Sequence, residues 1–502
     1  METPWKRHCW ECRRRCLVCD FTRPGCKRCS ASDVECPGYD EVKPIRLKWL
    51  APGNVKSRSR RMNRTLSTSA KSKENDLAIK ETTNLAVTAT GDHLTISRFE
   101  MRTDVWHLPQ AAMYFNSCIY QDLAPMHELG QNPHIYQLSP TQIQMATAAP
   151  DYLKFGMVCM TLSHRINQIK HQSQSNPLLE RFYMYWGFAV RSLRDHLNVK
   201  DSHGRDVLIA GILTLLLTDI QQGTSLNWRG HLEAVQKLVM LHGGFHEMAK
   251  SARLEPVLLV FWSVAVIGNT TCPVSDLSMT APQLDALELL TDQYAGAISP
   301  FQMCPLPLFA EIIQINHLRF RAREMELTEA ESLSQEAGDV LWRVERFSSE
   351  TWARSKPSLV DDWTAIANVY QSAVALYCIL SLQSLSLFPM TMALQTQRAL
   401  HTRLLQALIE KSLPSRRIRR FMVWPLVALG VGAVQCDAYV QAFVVSQLQK
   451  LGWDLGTQVP LTARRVLQSF WDSGKTRWDD CFDRPYAFTT QIAVDTSRLM
   501  PY

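Results

Sequence analysis

CWECRRRCLVCDFTRPGCKRCSASDVEC, residues 9–36, carries the most informative spacing in this chain. Six of its cysteines follow the pattern C-x2-C-x6-C-x6-C-x2-C-x6-C, in which one half-site occurs twice. These cysteines are Cys9, Cys12, Cys19, Cys26, Cys29 and Cys36. Zinc is held by four sulfurs in tetrahedral geometry, so six thiolates can serve two ions if two of them bridge both. The spacing therefore predicts a centre that binds two Zn²⁺ ions.

The segment resembles the fungal binuclear zinc cluster, the Zn₂Cys₆ DNA-binding module of many fungal transcription factors. The arginine run 13–15 after the second cysteine and Pro24 before the fourth cysteine also match that module. The resemblance implies a small metal-stabilised fold with two short helices, in which Cys9 and Cys26 bridge the metals. It further implies these ligand sets: Cys9, Cys12, Cys19 and Cys26 for one zinc, and Cys9, Cys26, Cys29 and Cys36 for the other.

A disulfide scaffold is the alternative interpretation of clustered cysteines, and it is typical of secreted chains. The first residues, however, lack the apolar stretch of a signal peptide. Seven of the 14 cysteines lie in the first 36 residues and the other seven are scattered singly, as free thiols are in a reducing compartment. We therefore expect metal-bound thiolates, with Cys16, which falls outside the spacing, as a spectator.

Positive charge is concentrated around the cysteines. Residues 1–64 contain 16 Lys and Arg against 7 Asp and Glu, a net charge of +9, although the whole chain carries only +7. Charge segregated in this way favours nucleic-acid binding. Arginine reads guanine in the major groove, and the resemblance implies double-stranded DNA with a CGG-type triplet. The candidate DNA contacts are Arg13, Arg14, Arg15, Lys27 and Arg28.

Two positions differ from the family pattern. The fourth position after the second cysteine is usually basic but is Cys16 here, and the position before the third cysteine, often lysine, is Val18. A thiol cannot replace the hydrogen bonds that a cation makes to guanine. The alternative function is therefore a helical scaffold or effector-sensing regulator with weak or non-specific DNA binding.

We divide the chain into a DNA-binding domain at 1–40, a basic and then disordered linker at 41–95, and a regulatory domain at 96–502. The linker begins with a short basic run that fits a nuclear localisation signal, a backbone-gripping arm or a solvated segment. Its basic residues are Lys56, Arg58, Arg60, Arg61 and Arg64. Residues 65–95 contain no aromatic residue and keep no heptad register, so we expect disorder and no coiled coil. Monomeric binding and a homodimer through the larger domain both remain open.

The larger domain is predicted to be all-α, because its apolar residues recur at helical spacing. Asn227 is the expected N-cap of a helix that begins at Trp228 and ends at the glycine pair 243–244. A second apolar stripe runs from Ile366 to Leu380. The continuous apolar run 421–434 is too short to span a membrane, so we expect a buried helix and no membrane partner.

The run that begins at Trp228 and the later Trp424-Pro425-Leu426 are similar to the helical regulatory domain of fungal transcription factors. Catalytic motifs are lacking in the sequence: His246-Glu247, for example, has no second histidine for H-E-x-x-H. We interpret His231 as structural, and the acidic-aromatic segment 478–483 as an exposed helix end rather than a surface that recruits transcription machinery.

The sequence thus predicts no enzyme. It predicts a nuclear, zinc-dependent, sequence-specific DNA-binding transcription factor for RNA polymerase II, and the resemblance implies that such a protein controls a metabolic or biosynthetic gene set. Double-stranded DNA and the transcription machinery are its expected partners.

Overall fold

The computed structural model contains two units, Met1–Leu94 and Thr95–Tyr502. It describes residues 9, 12, 19–32, 34, 36, 38–39, 107–130, 135–169, 172–197, 205–223, 228–251, 253–290, 304–324, 329–435, 438–490 and 494–499. The predicted linker at 41–95 and the arginine run 13–15 lie outside these residues, so the proposed division at 40 and 95 stays a prediction. The described part of the first unit includes the short α-helix α1 (Lys27–Ser30).

The described part of the second unit is built from helices and contains no strand, which confirms the prediction of a large all-α domain. Its first half contains α2 (His107–Tyr114), a π-helix (Phe115–Ile119), α3 (Tyr120–Leu123), a 3₁₀ helix (Ala124–Leu129), α4 (Pro140–Thr147), α5 (Asp151–Gln168), α6 (Gln172–Leu197), α7 (Arg205–Gln222), α8 (Trp228–Leu241), α9 (Phe245–Ala249), α10 (Glu255–Thr270), a 3₁₀ helix (Val274–Asp276) and α11 (Thr280–Asp285). Its second half contains α12 (Leu306–Arg323), α13 (Ala330–Arg346), α14 (Ser349–Arg354), α15 (Val360–Ser384), α16 (Met392–Ser412), a 3₁₀ helix (Arg419–Met422), α17 (Val423–Gly432), a 3₁₀ helix (Ala433–Gln435), α18 (Ala438–Leu455), α19 (Val459–Asp472) and α20 (Trp478–Cys481).

Helix α15 forms the centre of the core. It contains the predicted apolar stripe and ends at Ser384, before Pro389, as expected. Its tyrosines are fully buried and donate hydrogen bonds, Tyr370 to the carbonyl oxygen of Phe421 at 3.0 Å and Tyr377 to Asn316 Oδ1 at 2.6 Å. By length and mean hydropathy (1.5) the helix resembles a membrane span, but 83% of its most apolar window is buried inside the protein. Such burial is typical of a core helix.

Helix α8 begins at Trp228 and buries one apolar face, as predicted. It ends where Gly243 and Gly244 adopt φ values of +92° and +89°, and the N–H of Gly244 donates to the carbonyl oxygen of Val239 at 3.0 Å. These glycines end the helix because the left-handed conformation is costly for residues with a Cβ. Met240 follows the buried Val239 in the sequence, but its side chain is exposed. The expected N-cap at 227 lies outside the described residues.

The apolar run 421–434 contains the buried helix α17, which confirms its interpretation as part of the core. Its glycines allow close packing: a Cβ at Gly430 would lie 2.4 Å from Leu467 Cδ1, and one at Gly432 would lie 2.9 Å from Leu376 Cδ2. Glycine therefore occurs in this helix where two neighbouring helices approach its backbone.

The interpretation of segment 478–483 as an exposed helix end was wrong. Trp478 and Phe482 are buried, and Trp478 donates through Nε1 to the carbonyl oxygen of Thr270 at 2.8 Å. Asp479 accepts from the guanidinium of the fully buried Arg319 at 2.7 Å. A buried cation needs a paired anion, so the acidic residue ties this segment to the core.

Candidate metal centre

The sulfurs of the six described cysteines of the first unit form two groups of four, which we call the sulfur cage. Cys9, Cys12, Cys19 and Cys26 make one group, and Cys9, Cys26, Cys29 and Cys36 make the other. Within each group all four Sγ atoms lie within 4.8 Å of one another. The groups share Cys9 and Cys26, whose Sγ atoms are 3.6 Å apart.

The sulfur separations fit tetrahedral zinc. Four sulfurs at about 2.3 Å from one ion are about 3.8 Å from each other. The Sγ atom of Cys9 is 3.7 Å from that of Cys29, and the Sγ atom of Cys12 is 3.6 Å from that of Cys26. The group can therefore bind metal ions by its geometry and by the softness of its donors.

The two C-x2-C pairs adopt the same local geometry. The backbone N–H of Cys12 points to the Sγ of Cys9 at 3.4 Å, and the N–H of Cys29 points to the Sγ of Cys26 at 3.3 Å. Cys26 is also the N-cap of α1, so its sulfur accepts a hydrogen bond from the first turn of that helix. The duplicated spacing thus produces a duplicated turn, and each turn presents two sulfurs to the same point.

None of the described cysteines forms a disulfide. In the cluster, five of the six are buried and Cys36 is partly buried. The sulfur separations of 3.6–4.0 Å exceed the bonded distance of about 2.05 Å. The disulfide alternative therefore has no support in this arrangement.

Burial and hydrogen bonding act on these thiols in opposite directions. Desolvation raises the pKa of Cys9, Cys12 and Cys29, so burial alone disfavours their thiolates. Desolvation also acts to raise the pKa of Cys19, but hydrogen bonds from the backbone of Cys9 and from Tyr39 outweigh it and lower that pKa to about 6. Thiolates packed this closely need a cation, because a bound metal ion stabilises the deprotonated form.

Two residues near the cysteines in the sequence, Asp20 and Tyr39, hold the backbone around the sulfur cage. Asp20 accepts from the backbone N–H groups of Thr22 and Arg28, each at 2.9 Å. Tyr39 donates to the carbonyl oxygen of Thr22 at 2.9 Å and lies 3.4 Å from the Sγ of Cys19. Sequence reasoning did not find Asp20 or Tyr39. The Asp-x-Thr spacing, which allows a side-chain-to-backbone turn, is the signal that could have identified the first.

The predicted DNA contacts are only partly described. Lys27 and Arg28 lie exposed on α1, and the buried Cys29 follows them in the cage. Outside the described residues lie the other three predicted DNA contacts (13–15), the two positions that differ from the family pattern (Cys16 and Val18) and the basic run 56–64. Their roles therefore remain predictions.

The second unit contains a cavity of about 580 Å³ beside α7, α8 and α19. Its lining mixes cationic residues such as Arg465 and Lys475 with acidic residues such as Asp480 and Asp483. The two histidines considered in the sequence analysis do not form a catalytic pair in this cavity. His231 is 3.5 Å from Asp219, and His246 lies exposed on the short helix α9. His231 thus lies beside a neighbouring helix's carboxylate, a contact that fits its interpretation as a structural residue.

The family model described as "Fungal specific transcription factor domain" matches residues 110–489. The chain is also 46% identical over 497 residues to the phomenoic acid biosynthesis cluster-specific transcriptional regulator of Leptosphaeria maculans, covering 98% of this chain and 91% of that protein. Over 44 residues it is 46% identical to arginine metabolism regulation protein II of Saccharomyces cerevisiae, which covers 9% of this chain and 4% of that protein. No solved structure gives a significant match.

Proposed function

This chain belongs to the family of fungal-specific transcription factors, and from that premise we propose that it is a zinc-dependent, sequence-specific DNA-binding protein. In this proposal it acts in the nucleus on genes transcribed by RNA polymerase II. Membership in the family makes the chain a regulatory protein and not an enzyme, as predicted.

The observation that carries the proposal is the sharing of Cys9 and Cys26 between two groups of four sulfurs. Bound zinc would supply the free energy that holds this small module folded, with apparent binding energies of about 10–16 kcal/mol in comparable peptides. The ligands would be the six cysteines of the two groups. Their hydrogen bonds to Tyr39 and to backbone N–H groups would orient the thiolates.

DNA binding would follow from the charge around the cage. The exposed cations Lys27 and Arg28 would contact phosphates, and the arginine run 13–15 would reach a CGG-type triplet in the major groove. The net charge of +9 on residues 1–64 would strengthen the encounter with DNA. Import into the nucleus would depend on the basic run 56–64.

The target genes are proposed from the relative in Leptosphaeria maculans, whose name makes it specific for one biosynthesis cluster. The similarity extends over nearly the whole of both chains, so it includes the helical domain of this chain as well as its cysteine module. We therefore propose that this chain regulates a cluster of biosynthetic genes.

The test is a gel shift of the full chain against randomised DNA, with and without a metal chelator. The expected result is selection of one triplet-containing motif, with binding lost in chelator. Binding should also weaken with salt, with a slope of about −0.9 per phosphate contact. Salt-sensitive binding without a selected motif would favour the alternative regulator with non-specific DNA binding. Equal binding with and without chelator would contradict zinc dependence.

A matched pair of variants shows whether the cage is responsible. Cys26→Ser removes a shared sulfur and should abolish motif selection. Cys118→Ser changes a free, partly buried thiol of the helical unit and should leave it unchanged. If both variants select the motif equally well, the cage does not position the DNA-binding residues.

A further inference from the structure

We propose that the outward face of helix α6 binds a second copy of this chain, with the two helices antiparallel about Gly187. The inward face of α6 is an ordinary core surface, on which Phe182, Tyr185 and Ala189 are buried. The outward face nevertheless carries large apolar side chains. These are Tyr183, Met184, Phe188 and Leu197, which are 49%, 43%, 40% and 49% exposed. We call this surface the α6 face.

Gly187 lies within the α6 face, and its own unit does not require a glycine there. A Cβ at this position would have no atom of the described residues within 4 Å. Glycine is unfavourable inside a helix relative to alanine, so its presence calls for a reason. It allows another backbone to approach closely, and Met184 and Phe188 flank it with apolar surface that such a partner would bury.

The residues along the outward side of α6 are spaced in a way that suits packing against another helix. Positions 180, 184, 187, 191 and 194 are separated alternately by four and three residues, so they follow one stripe along the helix. The stripe is acidic at its beginning, apolar in the middle and basic at its end. A helix of opposite charge order therefore fits it, and the same helix in antiparallel orientation has that order.

An antiparallel pair about Gly187 brings together residues equally far before and after it. Glu180 then faces Arg194 of the second copy, and Tyr183 faces Arg191, an arrangement suited to a cation–π contact. A two-fold axis produces each contact twice, as self-complementary dimer interfaces require.

Charge selects the orientation. A parallel pair would place Glu180 against Glu180 and Arg194 against Arg194, which is repulsive. Within one copy, Arg194 is 3.6 Å from Asp195, and the two side chains are 70% and 62% exposed. Such an exposed pair contributes little, so Arg194 can turn to Glu180 of the second copy.

The association can be measured without DNA, so its failure is distinct from a failure of the proposed function. Sedimentation equilibrium of the full zinc-loaded chain over a concentration series should show a monomer–dimer equilibrium. Gly187→Leu should raise the dissociation constant by about tenfold or more, because the added side chain separates the helices. The monomer should still fold, since the position is open. The matched control is Gly338→Leu on α13, where a Cβ is equally unhindered, and it should leave the dimer intact.

The second part of the test exchanges the charges of the Glu180–Arg194 pair. Glu180→Arg and Arg194→Glu should each weaken the dimer, and the double variant should restore it because the opposite charges meet again. A wild-type chain that stays monomeric at every concentration overturns the proposal. A dimer that is indifferent to Gly187→Leu, or that the double variant does not restore, overturns it too, because another surface then forms the interface.

Discussion

Cys9 and Cys26 differ from the other four cysteines of the cage because each belongs to both groups of sulfurs. Both are fully buried. A shared sulfur acts on two tetrahedral sites at once, whereas an unshared one such as Cys36 acts on only one. At the scale of single residues, the cage therefore predicts unequal effects from chemically identical substitutions.

Counting the metal tests this inequality. The wild-type chain is expected to bind about two zinc ions, Cys36→Ser about one, and Cys26→Ser fewer than one, because the last loses a ligand from both sites. Elemental analysis of the purified full chain gives the count. Cys118→Ser, in the helical unit, should keep about two. Equal zinc in the Cys26 and Cys36 variants would rule out the sharing.

His164 is a second residue with a measurable consequence. It is buried, its Nδ1 lies 3.1 Å from the hydroxyl of Tyr114, and its Nε2 has no hydrogen-bond partner among the described residues. Desolvation, with a smaller contribution from Arg420, lowers its pKa to about 3. The ring is therefore neutral in the folded protein.

Acid should destabilise the fold through this residue. Between pH 6.5 and about 3 the unfolded chain binds a proton that the folded chain excludes, so stability present above pH 6.5 is lost as the pH falls. The loss between pH 7.5 and 5 is about 2 kcal/mol from this group. Urea unfolding at the two pH values should show a smaller loss for His164→Gln. An equal loss in both proteins would contradict a buried neutral ring.

At the scale of elements, α8 and α10 pack through one glycine. A Cβ at Gly268 would lie 2.4 Å from Cη2 of Trp228, the residue with which α8 begins. The indole cannot move freely, because it is buried and donates through Nε1 to the carbonyl oxygen of Pro485 at 3.1 Å. The close approach of these two helices therefore depends on the missing side chain.

Alanine is usually more stable than glycine inside a helix, but at position 268 we expect glycine to be the more stable residue. Gly268→Ala favours the helix but forces the ring to shift, and the expected net cost is about 1–3 kcal/mol of unfolding free energy. Gly338→Ala on α13 meets no described atom and should be neutral or stabilising by up to about 1 kcal/mol. Denaturant unfolding followed by circular dichroism compares the two. Similar effects at both positions would show that the α8–α10 packing can relax.

At the scale of the whole molecule, we expect the two units to be stabilised by different interactions. The described part of the first unit has a small apolar cluster made mostly of the five buried cysteines. The described part of the second unit has a large core that extends from Ile119 to Leu499 and a smaller apolar cluster that includes Phe182 and Tyr185. A domain of the first kind depends on metal, whereas one of the second kind is stabilised by buried apolar surface.

Removal of metal should therefore destabilise the first unit and leave the stability of the second unit nearly unchanged. A chelator is expected to unfold residues 9–36 and abolish DNA binding, but to leave the helical thermal transition within about 2 °C, because the proposed ligands all belong to the first unit. Circular dichroism follows the helices and limited proteolysis follows residues 9–36. A helical transition that falls together with the metal would show that the units stabilise each other.

Much of the helical unit could be predicted because its signals are local. The glycine pair 243–244 ends α8, and the apolar stripe from Ile366 to Leu380 lies within α15. The run 421–434 was predicted to be buried from its composition alone. The exposure of a single apolar residue could not be predicted in this way: Met240 is as apolar as the buried Val239 beside it, yet it is exposed.

The sequence by itself determined the spacing of the cysteines, the segregation of positive charge and the helical periodicity, because each depends on neighbours along the chain. Only the tertiary structure decided that the aromatic residues of segment 478–483 are buried and that Asp479 is paired, since its partner Arg319 is 160 residues away. It also decided which side of α6 is exposed among the described residues. The physical reason is that burial and ion pairing depend on which distant elements pack together, and local spacing does not contain that information.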